Sequence, residues 1–303
     1  MAKKLQGVLP VLQTPFHENG SIDYPTLERE VDWAYSMGAD GVGTGMVSEI
    51  LRLNKTERIE LTNRIGKMNQ GMGAYFCSAG AETVKEALEF AKASVDAGAD
   101  AIMAIPPTTL DLNANNLLEY YRSLAREITI PMIVQDASGY VGQPIPMEVY
   151  LVLLQDFGPE KILFKPEAPP IGGNLSLLRD ATNGQARIFE GSGGIFLVDS
   201  FRRGIVGTIP GMDLLAGIVA LWKALQQGDT RQVYALYLPI CAIVALEMQA
   251  GLDGFLAVEK YFLCKLGVFK NEIRRPPIRW EMDQETGQEL DRLYAILEVA
   301  MKS

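Results

Sequence analysis

A lysine stands where an apolar strand reaches its end. Residues 162–170 read ILFKPEAPP: three apolar strand-forming residues, then Lys165, then a proline that stops any strand. Burial lowers the pKa of a lysine amine because it disfavours the ammonium form, and an amine so lowered is a nucleophile able to form a Schiff base with a ketone. A lysine whose stem extends past a strand end to water produces the same pattern. Position alone leaves both interpretations open.

Repeats of a short apolar run and an amphipathic helical stretch predict the elements that position this lysine. The segments SMGADGV (36–42) and DAGADAI (96–102) repeat one helix end, glycine turn and strand start. Eight such units predict an α/β fold, a (β/α)8 TIM barrel with a closed parallel sheet. A doubly wound open sheet is the alternative, disfavoured because no GxGxxG follows the first strand. The predicted strands lie at 7–16, 41–46, 74–80, 101–107, 131–137, 162–168, 187–193 and 204–211.

Apolar helical patterns continue beyond the eighth predicted strand, although closure of a barrel does not need them. We predict the barrel over residues 1–225 and a C-terminal helical extension over residues 226–303, both in one structural unit. The length of 303 residues and the hydrophobic content of 48% provide for one large core.

The overall charge limits the partners of the protein. Its formal net charge of −9 disfavours a nucleic acid or an anionic membrane as a partner, so local donors must hold any anionic substrate. The N-terminal MAKKLQGVLP lacks the apolar core of a signal peptide, and no apolar run reaches a membrane-spanning length. Three widely spaced cysteines, Cys77, Cys241 and Cys264, are then expected as reduced thiols in a cytoplasmic protein.

Chemistry on such a barrel takes place at the C-terminal ends of the strands and on the loops that follow them. Glycine and proline are frequent there, which suits loops that let a ligand approach the backbone closely. No cluster has metal-ligand spacing and no Walker motif is present, so we predict no metal and no cofactor. The candidate residues at these C-terminal strand ends are Thr14, Pro15, residues 44–49, Ser78, residues 106–109, residues 135–138, Lys165, Glu167, residues 191–194 and residues 208–211.

Several of these positions have a purely structural alternative. Ser48 and Glu49 suit the cap and first turn of the helix that follows. Asp136 suits an ordinary turn after a strand. The EGSGG segment (190–194) is either an anion-binding set of backbone amides or a simple glycine turn.

Together the strand-end residues resemble the dihydrodipicolinate synthase / N-acetylneuraminate lyase family, which are Schiff-base aldolases and lyases on a (β/α)8 barrel. TPFHENGSID (14–23) is similar to the family's first-strand motif, and GMVSEILRLNKTER (45–58) stands where the family has GTTGE. AGADAIMAIPP (97–107) is similar to its fourth strand, and the lysine of FKPEA (164–168) falls at its Schiff-base lysine. The resemblance covers nearly the whole chain. It implies a covalent role for Lys165 and a homo-oligomer, a tetramer or a dimer.

The chain departs from the family pattern around the substrate. Met46 and Val47 stand in place of two threonines that receive the substrate carboxylate in the family. Gln135 replaces the tyrosine that relays protons, and a glutamine cannot titrate. Thr109 matches a second tyrosine, and Tyr140 matches a carboxylate-binding arginine. These departures disfavour dihydrodipicolinate synthase activity.

A narrower branch, the L-2-keto-3-deoxyarabonate dehydratases, resembles the chain at these same deviant places. It has a Ser-Glu pair like Ser48-Glu49, a fifth strand like IPMIVQDA (130–137) and an element like FKPEAP (164–169), whereas Met46 departs from it. This resemblance implies dehydration of a 2-keto-3-deoxy sugar acid through a Schiff base. Two alternatives stay open: a pyruvate-dependent aldolase or synthase of the same family, and a non-catalytic binder of keto acids.

The implied dehydration needs a base at C3 of the 2-keto acid and an acid for the departing C4 hydroxyl. Ser48, Glu49, Tyr140 and Glu167 are unranked candidates for these two roles. Amides and hydroxyls at Val47, Ser48 and residues 191–194 are candidates for the substrate carboxylate. The predicted catalytic residues are Lys165, Gln135, Ser48, Glu49 and Tyr140. The predicted substrate-binding residues are Met46, Val47, Thr109, Glu167, Gly191, Ser192 and Val206.

Overall fold

Eight parallel strands form one sheet in a computed structural model that describes residues 3–302, which confirms the predicted barrel. Neighbours in the sheet follow the order β1-β8-β7-β6-β5-β4-β3-β2. The residues just after β1 complete the circle, because the amide of Gly43 donates to the carbonyl of Pro10 and the amide of Leu12 donates to the carbonyl of Gly43. The strands are β1 (Gly7–Val8), β2 (Gly41–Gly43), β3 (Ala74–Ser78), β4 (Ala101–Ala104), β5 (Met132–Asp136), β6 (Ile162–Pro166), β7 (Arg187–Glu190) and β8 (Gly207–Thr208).

Helices alternate with the strands, and several begin at a side chain that accepts a hydrogen bond from the first turn. Asn54, Thr83 and Asn113 each accept from the amide three residues on, which satisfies one of the free N–H groups of a helix start. The helices are α1 (Tyr24–Ser36), α2 (Lys55–Met68), α3 (Val84–Asp96), α4 (Ala114–Glu127), α5 (Met147–Phe157), α6 (Ile171–Ala181), α7 (Leu197–Arg202), α8 (Leu215–Gln227), α9 (Thr230–Met248), α10 (Leu252–Lys265) and α11 (Gln284–Met301).

Side-chain alternation along each strand divides the core into two layers and fixes the direction of the polar residues at the strand ends. Met103, Ile133 and Leu163 belong to the apolar cluster inside the barrel, whereas their strand neighbours pack between the sheet and the helices. Successive side chains of a strand point to opposite faces. Gln135 and Lys165, two residues beyond Ile133 and Leu163, therefore point into the barrel at its C-terminal end.

Three helices follow α8 at the C-terminal end of the chain. The helix α9 is long and apolar enough to cross a membrane by length and composition alone, with a mean hydropathy of 1.3. It packs against α8, α10 and α11, as a core helix does. The proposed division of the chain at residues 225 and 226 stays a prediction.

Candidate active site

A cavity opens at the C-terminal end of the barrel, where the sequence predicted the chemistry. Its empty space of about 480 Å³ includes the solvent at its open mouth. Its wall is mostly apolar, with few polar side chains. The lining residues are Val11, Gly45, Met46, Val47, Met103, Gln135, Tyr140, Lys165, Glu167, Gly191, Gly193, Ile209, Pro210, Gly211, Leu252, Phe255 and Glu259.

Three polar side chains meet in this cavity. Lys165 Nζ lies 2.7 Å from Glu167 Oε2, and Gln135 Nε2 donates to the same oxygen at 2.7 Å. Register explains the meeting, because Gln135 on β5 stands directly beside Lys165 on β6. All three are nearly inaccessible to solvent, at 3–6% exposure. A lysine that snorkels to water is thereby ruled out, and its amine faces the cavity beside a carboxylate.

Burial raises the pKa of the Glu167 carboxyl above its ordinary value. The charge and hydrogen bond of Lys165 and the hydrogen bond of Gln135 act in the opposite direction, and the charge of Glu190 adds to the rise. A carboxyl so balanced can accept and return a proton beside the lysine nitrogen, which is the property of a general base.

The loop after β7 leaves room for the lysine by lacking a side chain at Gly191. A Cβ at Gly191 would lie 2.2 Å from Lys165 Cε and 2.7 Å from Glu167 Oε1. The neighbouring Ser192 is turned away, since its hydroxyl and amide both bind Glu190. The predicted contact of Gly191 with the site therefore has a physical basis, whereas the hydroxyl of Ser192 is occupied in holding the loop.

The loop after β2 brings Met46 and Val47 to the cavity, as the sequence indicated. These residues lie in a short 3₁₀ turn, Met46–Ser48. The Ser48 hydroxyl donates to the carbonyl of Leu12 and accepts from the amide of Gly45, and its own amide donates to Gly45. Ser48 thus shapes the loop and does not line the cavity, which corrects its prediction as a catalytic residue.

Glu49 also lies outside the cavity, behind the same loop. Its Oε1 accepts from Lys260 Nζ at 2.5 Å, its Oε2 accepts from the amide of Arg275 at 2.7 Å, and both side chains of the Lys260 pair are fully buried. Its backbone is left-handed, with φ of 57°. The prediction of Glu49 as an acid or base at the substrate is wrong, because the carboxylate is committed to this ion pair.

Two further predicted substrate contacts lie elsewhere. Thr109 is exposed on the loop after β4, where its hydroxyl donates to Glu82. Val206 precedes the two-residue strand β8 and so lies at the opposite, N-terminal end of the barrel, beside Gln6 and Trp222. Neither residue lines the cavity, to which this part of the chain contributes only residues after Thr208.

Tyr140 does line the cavity, where its ring meets that of Phe255 edge to face at 5.7 Å. Burial raises the pKa of the Tyr140 hydroxyl, and the charges of Glu167 and Glu190 raise it further. A hydroxyl of this kind stays protonated and is available as a hydrogen-bond donor inside the cavity.

Helix α10 supplies Leu252, Phe255 and Glu259 to the cavity, a contribution that was not predicted from the sequence. A signal was present: the helix reads LDGFLAVEKYFLCK, with Glu259 and Lys260 inside an apolar run, and neither is exposed by more than 1%. Within residues 3–302, no group of three or more His, Cys, Asp and Glu side chains is placed to hold a metal ion.

Comparison with known proteins agrees with this geometry. Over 140 residues the chain is 34% identical to a 4-hydroxy-tetrahydrodipicolinate synthase of Haloarcula marismortui, an alignment that covers 46% of this chain and 45% of that enzyme. It is 26% identical over 290 residues to a probable 2-dehydro-3-deoxy-D-pentonate aldolase, YjhH of Escherichia coli, with 91% and 92% covered.

A solved structure shares the fold along nearly the full length. YagE of E. coli, crystallised in complex with pyruvate, superposes with a TM-score of 0.87 at 20% identity over 97% of this chain and 99% of that one. The sequence profile of the dihydrodipicolinate synthetase family matches residues 4–296. The chain belongs to the dihydrodipicolinate synthetase family.

Proposed function

We propose that the protein is a Schiff-base lyase that dehydrates a 2-keto-3-deoxy sugar acid. The observation that carries the proposal is the group of Lys165, Glu167 and Gln135, in which a buried amine stands 2.7 Å from a buried carboxyl inside a mostly apolar cavity. A lysine in such a setting can form a covalent imine with a ketone.

Lys165 and Glu167 carry out the first steps of the proposed reaction. The Lys165 amine attacks C2 of the keto acid and water is lost, which leaves an iminium. Because C3 is attached to C2, a C3 proton comes within the region of the carboxyl that already binds the lysine nitrogen. Glu167 takes that proton, and the enamine that results expels the hydroxyl at C4 as water. Hydrolysis of the conjugated iminium returns the amine.

Gln135 favours dehydration over aldol cleavage. It donates to Glu167 Oε2 and cannot itself take a proton from a substrate hydroxyl. Cleavage between C3 and C4 requires a base on the C4 hydroxyl, whereas dehydration requires an acid there.

An aldolase is the second candidate, because a relative that aligns over 91% of the chain is a probable 2-dehydro-3-deoxy-D-pentonate aldolase. Both reactions begin with the same Schiff base and differ in the bond that breaks. Product analysis separates them: free pyruvate indicates the aldolase, and an unsaturated keto acid without pyruvate indicates the dehydratase.

The remaining expectations follow from the same chemistry. Lys165 provides the electron sink, so we propose no cofactor. We also propose a cytoplasmic protein that forms a homo-oligomer, a tetramer or a dimer, for which the exposed Leu238 of α9 and Ile296 of α11 are candidate contacts.

Borohydride trapping tests the proposal. Incubation with pyruvate or a 2-keto-3-deoxypentonate followed by reduction is expected to add the mass of the reduced adduct at Lys165. Lys165→Arg is expected to abolish the adduct. Lys161→Arg is the matched control, because that lysine binds the carbonyls of Ile128 and Ile130 outside the cavity. Absence of an adduct in the unaltered protein contradicts both enzyme activities and leaves a non-catalytic binder.

A further inference from the structure

We propose that Glu259, on the C-terminal helix α10, is a catalytic residue of this cavity that donates the proton to the departing oxygen at C4. The inference rests on the proposed Schiff-base function and assigns the acid that it requires. Of the four candidates from the sequence, Ser48 and Glu49 lie outside the cavity and Glu167 accepts the C3 proton. Tyr140 lines the cavity, but burial raises the pKa of its hydroxyl, which makes it a weaker acid than a carboxyl.

The carboxyl reaches the cavity through a gap in the loop after β8. Gly211 lines the cavity, and a Cβ there would lie 2.5–2.6 Å from the carboxyl carbon and both oxygens of Glu259. Any side chain at Gly211 would close this opening. The lysine enters from β6 and the glutamate from behind β8, so the substrate lies among groups contributed by two different parts of the wall.

The hydrogen bonds of Glu259 hold its carboxyl in place through one of its two oxygens. Oε2 accepts from Gln13 Nε2 at 2.8 Å and from the amide of Met212 at 3.2 Å. Both contacts are to the same oxygen, which leaves Oε1 as the oxygen for a substrate. Only 1% of the residue is exposed, so a proton held there is shielded from bulk water.

The surroundings keep this carboxyl in the acid form. Burial raises the pKa of Glu259 well above its ordinary value, and the charge of Asp213 raises it further, whereas Gln13, Met212 and Lys260 oppose the rise. Burial also raises the pKa of three neighbouring carboxyls: Asp213 after β8, Glu247 on α9 and Glu30 on α1. Lys260, the cation that opposes this rise, is paired with Glu49.

The step balances with this donor. The C3 proton passes to Glu167, the enamine electrons break the C4–O bond, and the Glu259 proton joins the departing oxygen as water. Glu259 is left as a carboxylate and Glu167 as an acid. Return of one proton from Glu167 to Glu259 through the cavity that both line restores the starting forms.

The inference is tested by replacing Glu259 and assaying the variant on two substrates that carry different leaving groups at C4. Glu259→Gln keeps an acceptor for Gln13 and Met212 but has no acidic proton. We expect the kcat for dehydration of a 2-keto-3-deoxypentonate to fall roughly 10²- to 10³-fold. Fluoride needs no proton to depart, so release of fluoride from the 4-fluoro analogue should fall by less than about 5-fold. Borohydride trapping at Lys165 should be retained.

Glu298→Gln is the control, since Glu298 is exposed on α11 and does not line the cavity. It should leave both rates within about twofold, the size of a perturbation below 0.5 kcal/mol. An equal loss of both reactions in Glu259→Gln with trapping intact would overturn the inference alone. Failure of the unaltered protein to form the adduct would overturn the proposed function itself.

Discussion

At the scale of single residues, the reactive side chains fit because the residues beside them are glycines, which have no side chain. Lys165 and Glu167 approach each other at 2.7 Å, and the chain passes over them at a residue with no side chain, Gly191. Gly211 likewise leaves room for the carboxyl of Glu259 on another part of the wall. Two close backbone approaches therefore leave room for Lys165, Glu167 and Glu259 at the cavity.

Substitution of Gly191 is expected to abolish the Schiff base without unfolding the protein. In Gly191→Ala the new methyl group must displace the Lys165 side chain, because the Cβ would lie 2.2 Å from Cε and 2.5 Å from Nζ. We expect the rate of adduct formation to fall by at least about 100-fold, as misplacement of a reacting group by 1 Å does. Timed borohydride quenching and mass spectrometry measure this rate.

A second glycine at the same end of the barrel provides the control. At Gly139 the nearest atom to an added Cβ, the carbonyl oxygen of Glu167, is 3.8 Å away. Gly139→Ala should therefore form the adduct at nearly the normal rate. Equal rates for the two variants would show that the close approach at Gly191 is not what positions the lysine.

At the scale of elements, α10 joins the cavity to the rest of the protein. Its residues Leu252, Phe255 and Glu259 face the cavity, and the next residue, Lys260, donates to Glu49 and to the carbonyls of Thr14 and Ile273. One helix thereby supplies the proposed acid and fixes the loop that carries Met46 and Val47.

Breaking the buried ion pair should destabilise the fold far more than breaking a surface pair. Lys260→Met leaves the Glu49 carboxylate buried with less compensation, and we expect the free energy of unfolding to fall by about 3–5 kcal/mol. Arg292→Met, which removes an exposed pair with Glu289 on α11, should cost less than about 1 kcal/mol. Urea unfolding followed by circular dichroism gives both values.

The double variant Glu49→Gln/Lys260→Met sharpens this test. It should recover part of the stability lost in Lys260→Met, because it removes the stranded charge as well as its partner. A loss in Lys260→Met no larger than that in Arg292→Met would contradict the assignment of the pair as the tie between α10 and the loop after β2.

The elements also show which features of the site were readable from the sequence. The apolar runs predicted all eight strands, and period-two alternation along β6 accounts for the direction of Lys165. The predicted strand ends ran too far, because Gly and Pro loop segments such as residues 209–211 are apolar without being extended. Glu259 could not be assigned, since nothing local in this helix tells which of its two carboxylates, Asp253 or Glu259, reaches a cavity.

At the scale of the whole molecule, several of the carboxyls that are counted in the formal net charge of −9 are buried. Glu30, Asp213, Glu247 and Glu259 are 0–6% exposed, and burial raises the pKa of each. In the folded protein these groups retain protons that the unfolded chain releases once the pH exceeds about 4. Their contribution to stability is therefore complete below that pH and is lost as the pH rises toward their folded pKa values.

Removing one of these carboxyls should flatten the dependence of stability on pH. Groups with lowered pKa, such as Glu82 at about 2, contribute fully above pH 5 and add no slope from pH 5 to 8. Glu247→Gln deletes one raised group, so the fall in free energy of unfolding over that range should shrink by up to about 1.4 kcal/mol per pH unit. Urea unfolding at several pH values measures it, with exposed Glu298→Gln as the control. An identical slope in Glu247→Gln and the unaltered protein would mean that Glu247 has its ordinary pKa in the folded state.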